Sequence, residues 1–187
     1  MPEELVICVL GDTHVPDRMP TLPPDLLPQI AAEQPDLILH SGDVCTQSVL
    51  DQLAEIAPVH TVQGNRDWFR GLHLPKSLTL ELNGARIGLA HGHISLFQYL
   101  HDLFHFVILR HNVSYTHYQE MLQKTFPDAD LIIYGHTHIQ VDETMNGRRF
   151  FNPGAILPCR LNKYHPQFGV LRIAKDGSIS TDFRTIR

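Results

Sequence analysis

Apolar positions in this chain fall into short runs separated by polar loops. Leu5-Val6-Ile7-Cys8-Val9-Leu10 is continuously apolar and rich in β-branched residues, the pattern of a strand covered on both faces. Asp36-Leu37-Ile38-Leu39-His40, Pro58 to Val62 and Asp130-Leu131-Ile132-Ile133-Tyr134 read as further short buried strands. A Pro-rich loop (Pro16, Pro20, Pro23, Pro24) follows the first run, then a short helix over Asp25 to Gln34, in which Pro28 fits only near the first turn. Thr46 caps a second helix, with Val49, Leu50, Leu53, Ala54 and Ile56 or Ala57 on its apolar face. Strand, helix, strand, helix, strand in that order predicts a parallel or mixed α/β sheet.

The pattern then changes. Ser77-Leu78-Thr79-Leu80-Glu81-Leu82 alternates, Asn83-Gly84 is a hairpin turn, and Arg86 to Ala90 returns. A second hairpin runs Ile139 to Met145, Asn146-Gly147, Arg148 to Phe151, and a third runs Phe168 to Ala174, Lys175-Asp176-Gly177, Ile179 to Arg184. Two sheets packed face to face and flanked by helices would use all these pieces. Between them, Leu96, Phe97, Leu100, Leu103, Phe104, Val107 and Ile108 recur at helical spacing, and Phe106 and Leu109 widen the apolar arc until it nearly encircles the helix. A second helix follows around Ser114 to Thr125. A helix apolar almost all round must be covered on several sides, by a second copy, by a role as lid, or by the protein's own core and loops.

At 187 residues the chain is long enough for one domain with a proper core, and 43% apolar with 19% charged residues is ordinary globular composition. The net charge of −5 and the absence of a basic stripe speak against a nucleic-acid polymer as partner. Three widely spaced cysteines (Cys8, Cys45, Cys159) without a CxxC pair point to reduced thiols and a cytoplasmic setting. The N-terminal apolar run is too short for a signal peptide, and no run is long enough to span a membrane. The thirteen histidines, spread along the chain, are the compositional oddity.

Several of them sit where the apolar runs end. Gly135-His136-Thr137-His138 follows one predicted strand; Gly11-Asp12-Thr13-His14, Gly42-Asp43, Gly64-Asn65-Arg66-Asp67 and His91-Gly92-His93 follow the others. Each has a plain alternative: Asp12 and Asp43 as caps, Asn65 as a turn residue tolerating positive φ, His91 as a satisfied buried imidazole, His136 and His138 as solvated rings on a turn. Strand ends in an α/β sheet share one rim, however, and ligands bind there. Asp12, His14, Asp43, Asn65, His91, His136 and His138 together offer two carboxylates, one amide oxygen and four imidazoles. Mixed oxygen and nitrogen donors suit Mn, Fe, Zn, Co or Ni better than Mg or Ca. Seven donors exceed one tetrahedral ion but suffice for two if a carboxylate bridges, and ions about 3.5–4 Å apart suit phosphoryl transfer.

In order, these five blocks resemble the motif blocks of the calcineurin-like metallophosphoesterases, and the chain is most similar to their small single-domain phosphodiesterase branch. Asn152-Pro153-Gly154 resembles the Asn-Pro-Gly turn near the end of that branch. The resemblance implies a four-layer αββα sandwich of two mixed sheets, formed by one domain over residues 1–187 with a helical insertion at about 94–126. It implies two divalent transition-metal ions, manganese first among the candidates. One would be held by Asp12, His14 and His138, the other by Asn65, His91 and His136, with Asp43 bridging. A hydroxide between them would attack phosphorus in a small phosphodiester.

Two departures qualify the family pattern. Arg66 stands where relatives often carry His or Cys. Its permanently charged fork suits phosphate oxygens rather than proton donation, which leaves His93 as the candidate general acid. Asp67 reads as a residue that orients the ligands from behind. The segment between His93 and Asp130 is also longer than small members need, and would either narrow the cleft or build a dimer with a second copy. His40 and His60 are assigned structural roles, Cys45 that of a small buried hydrophobe, and Trp68 and Phe69 packing in preference to walling the cleft. The rivals to a phosphodiesterase are a phosphomonoesterase or nucleotidase, and a protein-interaction scaffold of weak activity. Histidine at both 14 and 93 favours the enzyme over the scaffold.

Overall fold

The computed structural model describes residues 3–92 and 115–186. The His93 side chain, the apolar Leu96–Leu109 stretch and His101, His105 and His111 lie outside them, as does the side chain of His117.

Among the described residues, ten strands form two five-stranded sheets. The first sheet uses β1 (Glu4–Leu10), β2 (Leu37–His40), β3 (Val59–Thr61), β9 (Gln167–Ala174) and β10 (Ile179–Thr185), in the order β10-β9-β1-β2-β3. The second uses β4 (Ser77–Leu82), β5 (Ala85–Ala90), β6 (Leu131–Ile133), β7 (Gln140–Met145) and β8 (Arg148–Pro153), in the order β4-β5-β6-β8-β7. Each is mixed. Cys8 of β1 faces Ile38 in a parallel pair and Val170 in an antiparallel one, while β6 is parallel to both β5 and β8. All three predicted hairpins form. Asn83-Gly84 and Asn146-Gly147 turn with both residues at positive φ (47° and 87°, 51° and 77°), the geometry that matches strand twist.

The layers explain the unbroken apolar runs. Ile7 and Val9 of β1 face the second sheet, packing in one cluster with Ile87, Leu89, Leu131 and Ile133. Cys8 and Leu10 point the other way, onto α1 (Leu26–Ala32) and α2 (Gln47–Ala54) through Leu26, Ile30, Val49 and Leu53. On the outer face of the second sheet, Ile132, Tyr134 and Phe150 pack with Leu122 of α4 (Tyr115–Thr125) and with Phe126. The result is the four-layer αββα sandwich.

Local departures have local causes. Ala54 is exposed, because Ala57 in the following turn closes the apolar face of α2 instead. The block at Asn65 is not a loop: it opens α3 (Asn65–Arg70), ended by Gly71 in the left-handed region. Pro28 is the third residue of α1, within the first turn, where a missing N–H costs nothing. Among the described residues, no helix is long and apolar enough to cross a membrane.

Candidate metal centre

Five of the strands that run parallel within their sheets (β1, β2, β3 in one, β5, β6 in the other) deliver their C-terminal ends to one edge of the sandwich. Backbone hydrogen bonds stitch the emerging loops together. Asp12 N–H donates to Gly42 O at 3.0 Å, His14 N–H to Asp43 O at 2.9 Å and Gly135 N–H to His91 O at 3.1 Å. A sixth loop, leaving β8 at Asn152-Pro153-Gly154, closes on the same edge through Ile156 N–H to Gly11 O and Leu157 N–H to Asp12 O, each at 3.0 Å.

The side chains converge. His138 Nε2 lies 3.3 Å from Asp12 Oδ1, His14 Nε2 lies 3.8 Å from it, and His91 Nε2 lies 4.0 Å from it. Asp43 Oδ2 is 3.4 Å from His91 Nε2 and 3.7 Å from His14 Nε2. His91 Nε2 is 3.2 Å from Asn65 Oδ1. His136 donates its backbone N–H to Asp12 Oδ2 at 3.0 Å, and its ring sits 5.2 Å, centroid to centroid, from that of His91. Asp12, His14, Asp43, Asn65 and His91 are all buried, and His136 and His138 are partly so.

Six non-glycine residues of these loops hold positive φ: Asp12 (55°), His14 (55°), Asp43 (58°), Cys45 (71°), His136 (70°) and His138 (59°). Five of these are Asp or His, among the few residue types that tolerate this region. Gly135 itself is not one of the left-handed positions. His136 and His138 make the turn. Gly135 is needed for space, since a Cβ there would lie 2.7 Å from Ser41 Oγ and 3.0 Å from Asp12 Oδ2.

The donor set fits a transition-metal cation. His14 Nε2 and His138 Nε2 stand 3.4 Å apart beside Asp12 Oδ1, a buried oxygen that accepts no hydrogen bond among the described residues. A nitrogen pair and an orphaned carboxylate oxygen aimed at one point are what a cation completes. Among the described residues, three sets bring their ligand atoms close enough to hold an ion; two of them, Asp12, His14 and His138, and Asp12, Asp43 and His91, are drawn from the predicted ligands, and the third is His14, Asp17 and Cys45.

Electrostatics follow the same geometry. Burial raises the Asp12 and Asp43 pKa values, but His138 beside Asp12 and His91 beside Asp43 more than reverse this, leaving Asp12 far below the usual range and Asp43 at about 2. Burial lowers His91 and His138, and the same carboxylates outweigh it, to about 10 and about 9. For His14 burial wins, and its pKa falls to about 4.

Behind these residues lie groups with supporting contacts. Asp67 Oδ2 accepts the N–H of Asp43 at 3.0 Å and of Gly64 at 2.7 Å, while Oδ1 accepts that of Cys45 at 2.7 Å. His40 lies fully buried under the loops: it accepts from Gly42 N–H at Nδ1 (3.2 Å), so its Nε2 carries the proton that bonds Thr13 Oγ1 (2.8 Å). His60 is exposed and outside the cluster. His91 Nδ1 bonds Ser41 O at 2.8 Å, which leaves Nε2 facing Asp43. Cys159 Sγ lies 3.7 Å from His138 Nδ1, an approach the sequence does not signal because 21 residues and two strands separate them. Asn152 Nδ2 donates to Gly135 O and Thr137 Oγ1, both at 3.0 Å, bracing the His136–His138 turn from the C-terminal end of β8.

Arg66 donates its backbone N–H to Asp43 Oδ1 at 2.7 Å, and its guanidinium lies 3.4 Å from Asp17. Trp68 packs half-buried with its indole N–H on Gln63. Phe69, expected to pack, is 65% exposed, because the six-residue α3 turns that face outward. Cys45 is a buried thiol, as expected, and burial pushes its pKa up to about 12.

Comparison with known proteins gives these loops a family. A probable metallophosphoesterase of Methanothermobacter thermautotrophicus is 32% identical over 169 residues, covering 90% of this chain and 86% of that protein. Among solved structures, Vacuolar Protein Sorting 29 of Cryptosporidium parvum superposes with a TM-score of 0.72 at 21% identity, over 99% of each chain. Vps29 of Entamoeba histolytica, solved in complex with Zn²⁺, does so with a TM-score of 0.68 at 24% identity, over 98% of this chain and 100% of that one. At such identities these two likenesses speak for the fold. The family model for the calcineurin-like phosphoesterase superfamily domain matches residues 5–176, and the chain belongs to that superfamily.

Proposed function

We propose that this protein is a metal-dependent phosphodiesterase that hydrolyses a small phosphodiester at a dinuclear centre. Asp12, His14 and His138 would hold one ion and Asn65, His91 and His136 the other, with Asp43 shared. The observation that carries this reading is the convergence of His14 Nε2 and His138 Nε2 on the orphaned Asp12 Oδ1. Asp43 supports the sharing: its Oδ2 lies within 3.7 Å of His14 and 3.4 Å of His91, one histidine from each proposed set.

When bound, the ions supply Lewis-acid charge at the phosphoryl oxygens and a water nucleophile at neutral pH. The chain does the rest. Ser41 O fixes the His91 tautomer through Nδ1, and Asp67 holds the backbone on either side of the Asp43 side chain. Arg66, at the edge of the site, offers its fork to a non-reacting phosphate oxygen. His93, two residues beyond His91, is the proposed proton donor to the leaving alkoxide. Manganese is the first choice of metal because the donors mix carboxylate, amide and imidazole without thiolate. A cytoplasmic setting agrees with three free cysteines.

The test is hydrolysis of bis(p-nitrophenyl) phosphate beside p-nitrophenyl phosphate, after metal stripping and re-addition of Mn²⁺, Ni²⁺, Zn²⁺ or Mg²⁺, with Asp43→Asn as control. Metal-restored cleavage of the diester, lost in the variant, is the expected result. Turnover of the monoester alone moves the assignment to a phosphatase. No turnover in a folded, metal-loaded protein overturns the enzyme reading in favour of a scaffold.

A further inference from the structure

A tight turn follows His14. Arg18 N–H bonds back to His14 O at 2.8 Å and brings Asp17 over the site loops. The Asp17 carboxylate comes within 4.8 Å of a ring nitrogen of His14 and of the Cys45 thiol, a grouping that resembles a further cation site. Its partners argue otherwise. Arg70 Nη2 donates to Asp17 Oδ1 at 2.8 Å, and Arg66 Nη1 lies 3.4 Å from Oδ2. A carboxylate shared by two guanidinium groups, beside a thiol that burial keeps protonated, has little to give a metal ion.

The same arrangement does have a consequence for anions. Arg66 is tied to the proposed metal centre through its backbone bond to Asp43, so this group of charges stands at the edge of the site. Two guanidinium groups and one carboxylate leave a single net positive charge there. A phosphodiester brings one negative charge at neutral pH, whereas a monoester brings nearly two.

We propose that Asp17 is a specificity-determining residue: paired with Arg66 and Arg70, it matches the site edge to a singly charged phosphodiester and works against a doubly charged monoester. The inference rests on the phosphoesterase reading above. The carboxylate sets charge rather than shape, since Arg70 can bond an amide oxygen equally well. Its effect scales with the number of charges on the ligand, and at a partly exposed, salt-screened position one unit charge is worth about threefold in affinity per ligand charge, hence about tenfold for a dianion.

The experiment compares the Mn²⁺-loaded protein with Asp17→Asn by isothermal titration calorimetry at pH 8, with inorganic phosphate as the dianion and dimethyl phosphate as the monoanion. The variant should bind phosphate about tenfold more tightly, and dimethyl phosphate within about threefold of the parent. Arg70→Gln, on an exposed helix end, should act in the opposite direction and weaken phosphate more than dimethyl phosphate. An equal shift for both anions in the variants would overturn the proposal, as would weaker phosphate binding in Asp17→Asn or no binding of either anion to the parent. A protein that cleaves neither nitrophenyl ester, yet shows the expected binding differences, defeats the diesterase reading and leaves this one standing.

Discussion

Asp67 Oδ2 accepts the backbone N–H of Asp43 at 3.0 Å, so the first turn of α3 holds the loop after β2 by a carboxylate that never reaches the centre itself. The same carboxylate takes the N–H groups of Gly64 and Cys45. Asp67→Asn replaces an acceptor-only group by one whose amide nitrogen must face a donor. Metal affinity, measured by competition with a chelating dye, should fall 10- to 100-fold while circular dichroism stays unchanged. Unaltered affinity would mean that the loop holds its shape without Asp67.

Metal uptake should release protons. His91 and His138, at about 10 and about 9, are protonated at pH 7 in the metal-stripped protein, and a cation takes the place of both protons. Apparent affinity should therefore rise with pH between about 7 and 9, approaching a hundredfold per unit where both protons are displaced. Titration of metal into weakly buffered protein with a pH indicator reads the release directly. Release close to zero would show that these imidazoles are already neutral.

The histidines also shape stability. Burial depresses His40 and His14 to about 4, below the unfolded value near 6.5, so between these pH values the unfolded chain binds protons that the native one does not. Stability falls as pH drops through that window. His91 and His138 have the opposite sign: their contribution is full below about pH 6.5 and is lost as pH rises through 9 and 10. Urea midpoints of the stripped protein should peak near pH 6.5. His40→Ala should cost about 2–4 kcal/mol near neutrality, by opening a cavity and orphaning Thr13 and the Gly42 N–H, and should flatten the acid limb.

Gly64 has no room for a side chain. A Cβ there would overlap the Asp43 carboxylate and backbone nitrogen. Gly64→Ala should abolish metal-dependent hydrolysis and reduce metal affinity at least tenfold, because the atom displaced is the proposed shared ligand. Gly84→Ala, in an open hairpin turn, is the matched control: its added Cβ meets nothing, and it should cost stability without touching metal affinity.

Much of this was legible along the chain. Apolar runs ending in Gly-Asp or His pairs announce strands that deliver donors to one rim, and Asn-Gly pairs announce hairpins, because each signal lies within a few residues. What escaped has longer reach or weaker periodicity. α3 is six residues long and opens on Gly64-Asn65, so no apolar repeat develops to mark it. The approaches of Cys159 to His138, of Asn152 to Thr137 and of Asp17 to Arg70 depend on how loops from separate strands meet. Local pattern does not encode such meetings.

The left-handed backbone at Asp12, His14, Asp43, His136 and His138 narrows the alphabet these loops can use. A residue with a Cβ pays of order 1 kcal/mol to sit there, and Asp, Asn and His tolerate it best. The types that suit the backbone and the types that donate to a cation thus overlap. Alanine at such a position removes a donor and adds strain at once, so it confounds chemistry with folding. Asparagine changes the donor while sparing the turn. A lineage that gave up the metal would feel the same pressure: its loops could drift among Asn, Asp, His and Gly, and keep the look of a binding site after the chemistry had gone.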